Sequence, residues 1–349
     1  MGVSKVKGVR IEAVCCAVPA NSIEVVSYAE RFGAGAVKKI SISTGISALR
    51  VAQEGVCTSD LCYAAARSLM SETGIGSSDI DALIFISQTP DYILPATSCV
   101  LQERLGLAKT CAAFDVNLGC SGYVYGLWMA AGLVSSGLVK RVLLLVGDTI
   151  SKITSEEDRS VAMLFGDAGS ATLVTSGCED NQLFFNLGTD GSGYESIIVP
   201  DGGFRHRPTS DSMVRAEVDG GKRSAMELVM RGSEVFEFAQ SQVPDSIIEL
   251  LAYAGSPVES IDCFVPHQAN KFMLGHLCGK LGIPREKMLV GIGQYGNTSS
   301  ASIPLALVTE LQGRKDLGNV LLSGFGVGLS WGSLMVRLDS LNILPLVEV

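Results

Sequence analysis

Residues 116–123 (VNLGCSGY) carry the side chain with the clearest chemical potential, the thiol of Cys120. An apolar strand-like run at 110–116 precedes the cysteine, and a helix-like run rich in small residues follows it at 122–133. The unpaired backbone N–H groups and the positive dipole end at a helix N-terminus favour a thiolate. Because the flanking residues are small, a substrate carbonyl can approach the sulfur. The pattern predicts that Cys120 is a nucleophile.

Two later motifs supply partners for such a cysteine. Residues 266–270 (PHQAN) and 295–299 (YGNTS) each open a helix-like segment, and they contain His267 and Asn297. A cysteine, a histidine and an asparagine in these settings indicate acyl transfer through a thioester. A papain-type hydrolase has the same residue order, but it predicts an exported protein with tryptophan after the nucleophile. Here Ser121 follows, and the first residues carry no export signal.

An internal repeat indicates how three residues so distant in sequence could meet. The chain contains two series of elements in the same order: strand, helix, motif, helix, strand. The first series runs from the strand at 80–87 through the Cys120 motif to the strand at 141–146. The second runs from the strand at 261–266 through the Asn297 motif to the strand at 319–322. Fully apolar strands alternating with helices predict sheets covered on both faces. Two βαβα-type halves are therefore expected.

We place these halves at 1–175, which carries the nucleophile, and 176–349, which carries the histidine and asparagine. A polar, glycine-rich stretch at about 201–224 is interpreted as a long excursion between them. If the halves pack about a pseudo-twofold axis, Cys120 and Asn297 occupy equivalent helix starts and meet in the middle.

Composition excludes several functional classes. The chain has 349 residues, of which 47% are hydrophobic, yet its apolar runs are too short to cross a membrane. The net charge of −9 argues against nucleic acid or an anionic membrane as the main partner. The ten cysteines show no metal-ligand spacing, so we expect no metal site. Apart from Cys120 they are interpreted as reduced, buried thiols of a cytoplasmic protein.

Several motifs occur in the order found in one enzyme family. They are Thr44-Gly45-Ile46, Phe114 to Gly122, Asp158-Arg159 followed by Phe165 to Gly169, Val265 to Asn270, Gly296 to Ser299, and Phe325 to Gly328 with Trp331-Gly332-Ser333. Over nearly its full length the chain resembles the thiolase-fold condensing enzymes, and within them the β-ketoacyl-ACP synthase III group. This resemblance implies an α/β thiolase-like fold, with duplicated halves in a layered αβαβα architecture.

The resemblance also implies a mechanism. Cys120 would take the acyl group from an acyl-CoA or acyl-ACP, and His267 and Asn297 would hold the thioester carbonyl of malonyl-ACP. The enolate formed as CO₂ leaves would attack the acyl-cysteine. The backbone N–H groups of Cys120 and Val327 would form the oxyanion hole, and the reaction requires no cofactor.

Substrate-binding positions follow from the same likeness. Arg159 is a candidate for a substrate phosphate, Leu94 aligns with the residue that closes the acyl pocket from a partner subunit, and a homodimer is implied. Because acyl carrier protein is acidic, a basic docking surface is expected. Its candidates are Lys271 and the basic residues of the excursion, namely Arg205, Arg207, Arg215, Lys222 and Arg223.

Two positions depart from the housekeeping bacterial enzyme. That enzyme sandwiches the adenine of acetyl-CoA between a tryptophan and an arginine, and the aligned residues here are Lys39 and Ser43. An acyl-ACP donor, or CoA bound differently, fits this change. An alternative function keeps the acyl-Cys120 intermediate but passes the acyl group to an amine or hydroxyl in a specialised pathway. A non-catalytic synthase subunit is disfavoured, because such subunits commonly lose the nucleophile or the histidine.

Overall fold

Two mixed β-sheets, with helices between and outside them, organise the chain. The computed structural model describes residues 2–218, 220–314 and 316–349. The strands are β1 (Val3–Lys7), β2 (Val9–Val18), β3 (Ser22–Glu24), β4 (Ala48–Arg50), β5 (Ala82–Ile86), β6 (Ala112–Val116), β7 (Arg141–Asp148), β8 (Ala168–Ser176), β9 (Gln182–Thr189), β10 (Ile197–Ile198), β11 (Ala216–Val218), β12 (Gly221–Arg223), β13 (Val229–Met230), β14 (Cys263–Pro266), β15 (Asn319–Gly326), β16 (Ser330–Arg337), β17 (Asn342–Ile343) and β18 (Val347–Glu348). The helices are α1 (Ala29–Phe32), α2 (Ala34–Thr44), α3 (Thr58–Thr73), α4 (Thr97–Arg104), α5 (Gly122–Ser135), α6 (Gly232–Ala254), α7 (Lys271–Leu281) and α8 (Ser302–Leu311).

The first sheet has the order β17-β2-β8-β7-β5-β6, and β18 also pairs with β2. Strand β5 runs parallel to β6 and β7, whereas β8 is antiparallel to both β7 and β2. Every residue of β5 is buried, as the continuous apolar run predicts for a strand covered on both faces.

The second sheet repeats this plan in the order β1-β9-β16-β15-β14. Strand β14 is parallel to β15, as β5 is to β7 in the first sheet. Strand β16 is antiparallel to both β15 and β9, as β8 is to β7 and β2. At the position that corresponds to β6, a parallel bridge joins Phe264 to Met288. The duplication expected from the sequence is therefore present in strand order and direction.

Five layers result from packing helices on these sheets. Helices α5 and α8 share one buried core with the inner faces of both sheets. Helices α3 and α4 cover the outer face of the first sheet, and α6 and α7 cover that of the second. At Gly126 of α5, a Cβ atom would lie 2.6 Å from Ile86 and 2.8 Å from Leu144. A small residue is required there because the helix approaches the sheet so closely, and this explains why α5 is rich in small residues. The order of the layers is the αβαβα arrangement expected from the sequence.

The chain termini cross between the two halves. Strand β1 pairs with β9 in the second sheet, while β17 and β18 pair with β2 in the first. The division at residue 175 falls at the end of β8, but each half contributes a terminal segment to the other's sheet. The division of the chain into halves at 1–175 and 176–349 remains a prediction.

The polar excursion is partly ordered into strands. The ribbon β10–β13 closes its base, and β11 and β12 form a hairpin within it. Arg223 of the hairpin donates to Asp158 at 2.8 Å, and the Asp158 side chain is fully buried. Among the described residues, no helix is both long and apolar enough to span a bilayer.

Candidate active site

Cys120 lies where β6 ends and α5 begins, two residues before the first residue of the helix. Its side chain is buried, and Sγ lies 3.8 Å from Oγ of Ser299. The end of β15 passes directly against the sulfur, since a Cβ atom on Gly326 would lie 2.9 Å from Sγ. Glycine at position 326 is therefore needed for the thiol to occupy this position.

Burial raises the pKa of the Cys120 thiol to about 11. A hydrogen bond from Ser299 and the backbone N–H groups of Val327 and Cys120 oppose this rise, and the nearby carboxylate of Asp148 adds to it. The prediction that the helix N-terminus makes the thiolate the favoured form is thus wrong, because desolvation of the buried sulfur outweighs the backbone dipoles.

His267 follows β14 and is 2% exposed. Its backbone N–H donates to the carbonyl of Ser323 at 2.7 Å, and its Nδ1 lies 2.7 Å from Oγ of Ser302. Burial lowers the pKa of the imidazole to about 3, although a hydrogen bond to the backbone of Ser299 opposes the shift. The ring is therefore neutral at neutral pH, so it can donate a hydrogen bond but carries no positive charge.

Asn297 is held by its backbone and by one side-chain oxygen. Its N–H donates to Leu164 at 2.8 Å, and its carbonyl accepts from Gly166 at 3.1 Å. Oδ1 accepts from the N–H of Ser299 at 2.9 Å. This bond orients the amide and leaves the two protons of Nδ2 for another partner.

A cavity of about 380 Å³ joins these groups. Cys120, His267, Asn297 and Val327 all line it, so residues from both halves of the chain face one space. The rest of its wall is largely apolar and includes Ile150, Ile153, Leu164, Phe165, Ile197, Leu228 and Met230.

The candidate substrate residues lie elsewhere. Leu94 is 79% exposed on the surface, and the exposed Arg159 lies beside the β11–β12 hairpin, where its N–H donates to Gly220. Lys271 is exposed at the start of α7 and lines a groove together with Lys39 and Ser43. None of Leu94, Arg159 or Lys271 is among the cavity-lining residues in the described chain.

Three of the other cysteines also differ from expectation. Cys57 is only half-buried, and Cys99, on the outer side of α4, and Cys178, in the turn after β8, are exposed. An alkylating reagent therefore meets the two exposed thiols more readily than the buried Cys120. Reactivity toward a general alkylating reagent does not single out the nucleophile in this chain.

Sequence reasoning missed three side chains that hold the site together. Ser299 contacts the Cys120 sulfur, Ser302 contacts the His267 ring, and the fully buried Asp148 joins the loops around them. The Asp148 carboxylate accepts from Ser300 N and Oγ and from Gln88 N. The three serines at 299, 300 and 302 are the only signal in the sequence, and they are equally typical of a turn.

The low pKa of His267 predicts an acid-sensitive fold. The unfolded chain binds a proton at this residue below about pH 6.5, whereas the folded chain binds it only near pH 3. Stability is therefore lost as the pH falls, by about 2–3 kcal/mol between pH 7 and pH 4.5. Urea unfolding at both pH values should show a smaller loss for His267→Gln than for the unchanged chain. The exposed-site control His276→Gln should retain the full loss, and an equal loss in all three proteins would contradict this account.

Comparisons with known proteins agree with this geometry. Residues 114–191 match the family model described as 3-oxoacyl-[acyl-carrier-protein (ACP)] synthase III, and residues 251–338 match the model of its C-terminal part. The β-ketoacyl-[acyl-carrier-protein] synthase III of Clostridium perfringens is 38% identical over 284 residues, covering 80% of this chain and 85% of the relative. The enzyme of the same name from Natranaerobius thermophilus is 38% identical over 304 residues, covering 85% and 90%.

A solved structure gives the same result for the whole fold. The crystal structure of 3-oxoacyl-(acyl-carrier protein) synthase from Burkholderia xenovorans LB400 superimposes with a TM-score of 0.93 at 42% identity, covering 99% of each chain. The thiolase-like fold expected from the motifs is therefore confirmed. This chain belongs to the β-ketoacyl-ACP synthase III family, the acyltransferases that condense an acyl thioester with malonyl-ACP.

Proposed function

We propose that Cys120, His267 and Asn297 carry the condensation in this protein. The observation that supports this most directly is their presence in one cavity, although they come from three separate elements of two halves. Cys120 attacks the carbonyl of the donor thioester, and its proton passes to the departing thiol of CoA or acyl carrier protein. The product of this half-reaction is an acyl-cysteine.

The backbone N–H groups of Cys120 and Val327 form the oxyanion hole of the proposed mechanism. Hydrogen bonds from both groups lower the pKa of the Cys120 thiol, so both N–H groups point toward the sulfur, beside which the oxyanion of the attacked carbonyl forms. They are fixed by the start of α5 and by the turn after β15. Removing one such donor typically costs about 10²–10³ in rate.

His267 and Asn297 act in the second half-reaction. Each donates a hydrogen bond to the thioester carbonyl of malonyl-ACP, from Nε2 and Nδ2 respectively. When the bond to the carboxylate breaks, its electron pair forms an enolate whose oxygen these donors stabilise, and CO₂ leaves. The enolate carbon then attacks the acyl-Cys120 carbonyl and expels the thiolate. A neutral histidine suits this role, because it stabilises the enolate without protonating it.

The groove outside the cavity supports a docking site for acyl carrier protein. Lys39, Lys271, Lys280 and Arg285 line it, and no acidic residue does so among those described. The first turn of α7 lies between the groove and the cavity, since Asn270 and Met273 line the cavity while Lys271 and Phe272 line the groove. The excursion is less suited to an acidic partner, because three of its cations are already in ion pairs: Arg215 with Glu157 and Glu227, Lys222 with Glu217, and Arg223 with Asp158.

The side chains of the same groove also indicate which kind of acyl donor the protein uses. Lys39 and Ser43 of α2 offer no planar surface for adenine, and the aromatic rings in the groove belong to Phe272 and His276 of α7. Acetyl-CoA therefore lacks its usual stacking site on α2. We infer that the donor is an acyl-ACP, or a CoA thioester held differently.

Intact-protein mass spectrometry with a panel of acyl-CoAs and acyl-ACPs tests this assignment. The added mass on Cys120 identifies the acyl group, and kcat/KM is expected to be higher for a matched acyl-ACP than for acetyl-CoA. Lys39→Glu should raise the KM for malonyl-ACP. A clear preference for acetyl-CoA that Lys39→Ala leaves undiminished would contradict the donor proposal. Turnover of the acyl-enzyme by an amine or alcohol, without release of CO₂, would instead establish the alternative function.

A homodimer is the proposed assembly. Strand β6 lies at the open edge of the first sheet, and Phe114 on this strand is 37% exposed. The nearby loop exposes three consecutive apolar residues, Tyr92, Ile93 and Leu94. An unpaired edge beside an exposed apolar loop is typical of a surface that a second subunit covers.

Light scattering at micromolar concentration should give twice the chain mass of 36.7 kDa. Ile93→Asp should shift the protein toward the monomer, because it puts a charge into the proposed interface. Leu138→Asp is the matched control, since Leu138 is 75% exposed in the turn between α5 and β7, outside this loop. A monomer mass for the unchanged chain would refute the assembly.

The ten cysteines support a cytoplasmic location. All are free in the structure, and six of those outside the catalytic position are buried. Free thiols persist in reducing compartments, so we propose that the protein works in the cytoplasm.

A further inference from the structure

Ser302 is the first residue of α8 and is 1% exposed. Its Oγ lies 2.7 Å from Nδ1 of His267 and 3.3 Å from the backbone N of Gln268. This hydroxyl is therefore buried at the ring edge beside Nδ1, the imidazole nitrogen other than Nε2. The proposed function gives Ser302 no role, and no motif singles it out.

The hydrogen bonds among Ser302, Gln268 and His267 determine which imidazole nitrogen carries the proton. The Gln268 N–H can only donate, so it uses a lone pair of the Ser302 oxygen. The serine proton then needs an acceptor, and in the described chain Nδ1 is the one acceptor within hydrogen-bond distance of Oγ. Leaving a buried hydroxyl proton unpaired is unfavourable, so the serine donates to Nδ1. A neutral ring that accepts at Nδ1 carries its single proton on Nε2.

We propose that Ser302 is a positioning residue that keeps the proton of His267 on Nε2. This inference rests on the proposed role of His267 as a donor to the malonyl carbonyl. In the opposite tautomer, Nε2 would present a lone pair to the enolate oxygen and repel it. A neutral ring without a partner at Nδ1 loses the contact that selects this tautomer.

The position of Ser302 is itself fixed by buried contacts. Ser300, two residues earlier, donates through both its N–H and its hydroxyl to Asp148 of the first half, at 3.2 and 2.6 Å. The Asn297 side chain holds the N–H of Ser299 in the same turn. The turn that presents Asn297 to the cavity therefore also places the Ser302 hydroxyl on the histidine ring.

Nitrogen NMR of the ¹⁵N-histidine-labelled protein tests the tautomer directly. The chain contains only three histidines, so His206→Gln and His276→Gln assign the remaining signals to His267. We expect a protonated Nε2 and an unprotonated Nδ1 in the unchanged protein. In Ser302→Ala the Nδ1 signal should move toward the protonated state as the two tautomers mix. Ser170→Ala is the matched control, because that buried hydroxyl donates to Val146 and does not touch the ring.

Kinetics supply a second readout. Ser302→Ala should lower the kcat of condensation on the order of tenfold, with acyl loading of Cys120 and the KM for malonyl-ACP within about twofold of the unchanged protein. Ser302→Thr retains the hydroxyl and should restore most of the rate. A protonated Nδ1 in the unchanged protein would overturn the inference, as would Ser302→Ala with an unaltered tautomer and full kcat. Full condensation by His267→Ala would instead refute the proposed function, without changing the tautomer result.

Discussion

Replacing Cys120 with alanine is expected to abolish formation of the β-ketoacyl product while malonyl-ACP still releases CO₂. The variant has no nucleophile for the donor, so condensation should fall by at least about 10³-fold. His267 and Asn297 remain in the cavity, and in the proposed mechanism they alone stabilise the enolate. Decarboxylation and condensation should therefore separate in this variant. The measurement is product formation and CO₂ release from the same reaction mixture.

The exposed cysteines provide the matched control. Cys99→Ser with Cys178→Ser removes two accessible thiols and should leave turnover unchanged. Peptide mapping after incubation with donor should then find the acyl group on Cys120 alone. Condensation that survives in Cys120→Ala, or an acyl group on another cysteine during turnover, would contradict the mechanism.

The meeting of Cys120 and Asn297 could be predicted because the chain is duplicated. A pseudo-twofold axis relates the two helix starts, which meet if they lie near that axis, and both side chains do line one cavity. The position of His267 at the cavity could be predicted because it follows β14, which corresponds in the second sheet to β5 in the first. Apolar periodicity and turn residues are sufficient for conclusions of this kind.

The protonation of the site could not be predicted in the same way. A helix N-terminus is visible in the sequence, and it suggests a thiolate at Cys120. Burial of the sulfur against the end of β15 at Gly326 reverses this expectation, and the charge of Asp148 adds to the rise in the pKa, whereas the hydrogen bond from Ser299 opposes it. Burial is a property of the packed structure, and local residue types do not determine it.

The serine residues that hold the site together could not be predicted from the sequence for a related reason. Ser302 reaches a histidine 35 residues earlier in the chain, and Ser300 reaches an aspartate 152 residues earlier. Serine is common in turns, so its presence after Asn297 carries little information until its partner is known. Residues of this kind become visible only when every buried hydroxyl is matched with an acceptor.

His267→Ala and Asn297→Ala are expected to accept an acyl group at a nearly normal rate and to lose condensation by about 10² or more. Neither side chain is a hydrogen-bond partner of the Cys120 sulfur, which is in contact with Ser299 and two backbone N–H groups. Loading therefore depends on groups that remain in both variants. Enolate formation depends on the donors that the substitutions remove, so the second half-reaction should fail.

Asn297→Asp makes this test sharper. The new carboxylate can still accept from the N–H of Ser299, as Oδ1 of Asn297 does at 2.9 Å, so the turn is retained. It replaces the donor Nδ2 with a negatively charged oxygen, which opposes the enolate. Single-turnover loading and steady-state condensation should be measured separately, with His206→Ala and Asn21→Ala as exposed controls. If loading and condensation fell together in these His267 and Asn297 variants, the two half-reactions would not be divided between these groups. If only condensation is lost, His267 and Asn297 must act on malonyl-ACP. In the proposed mechanism, enolate formation is the step that generates charge beside these two side chains.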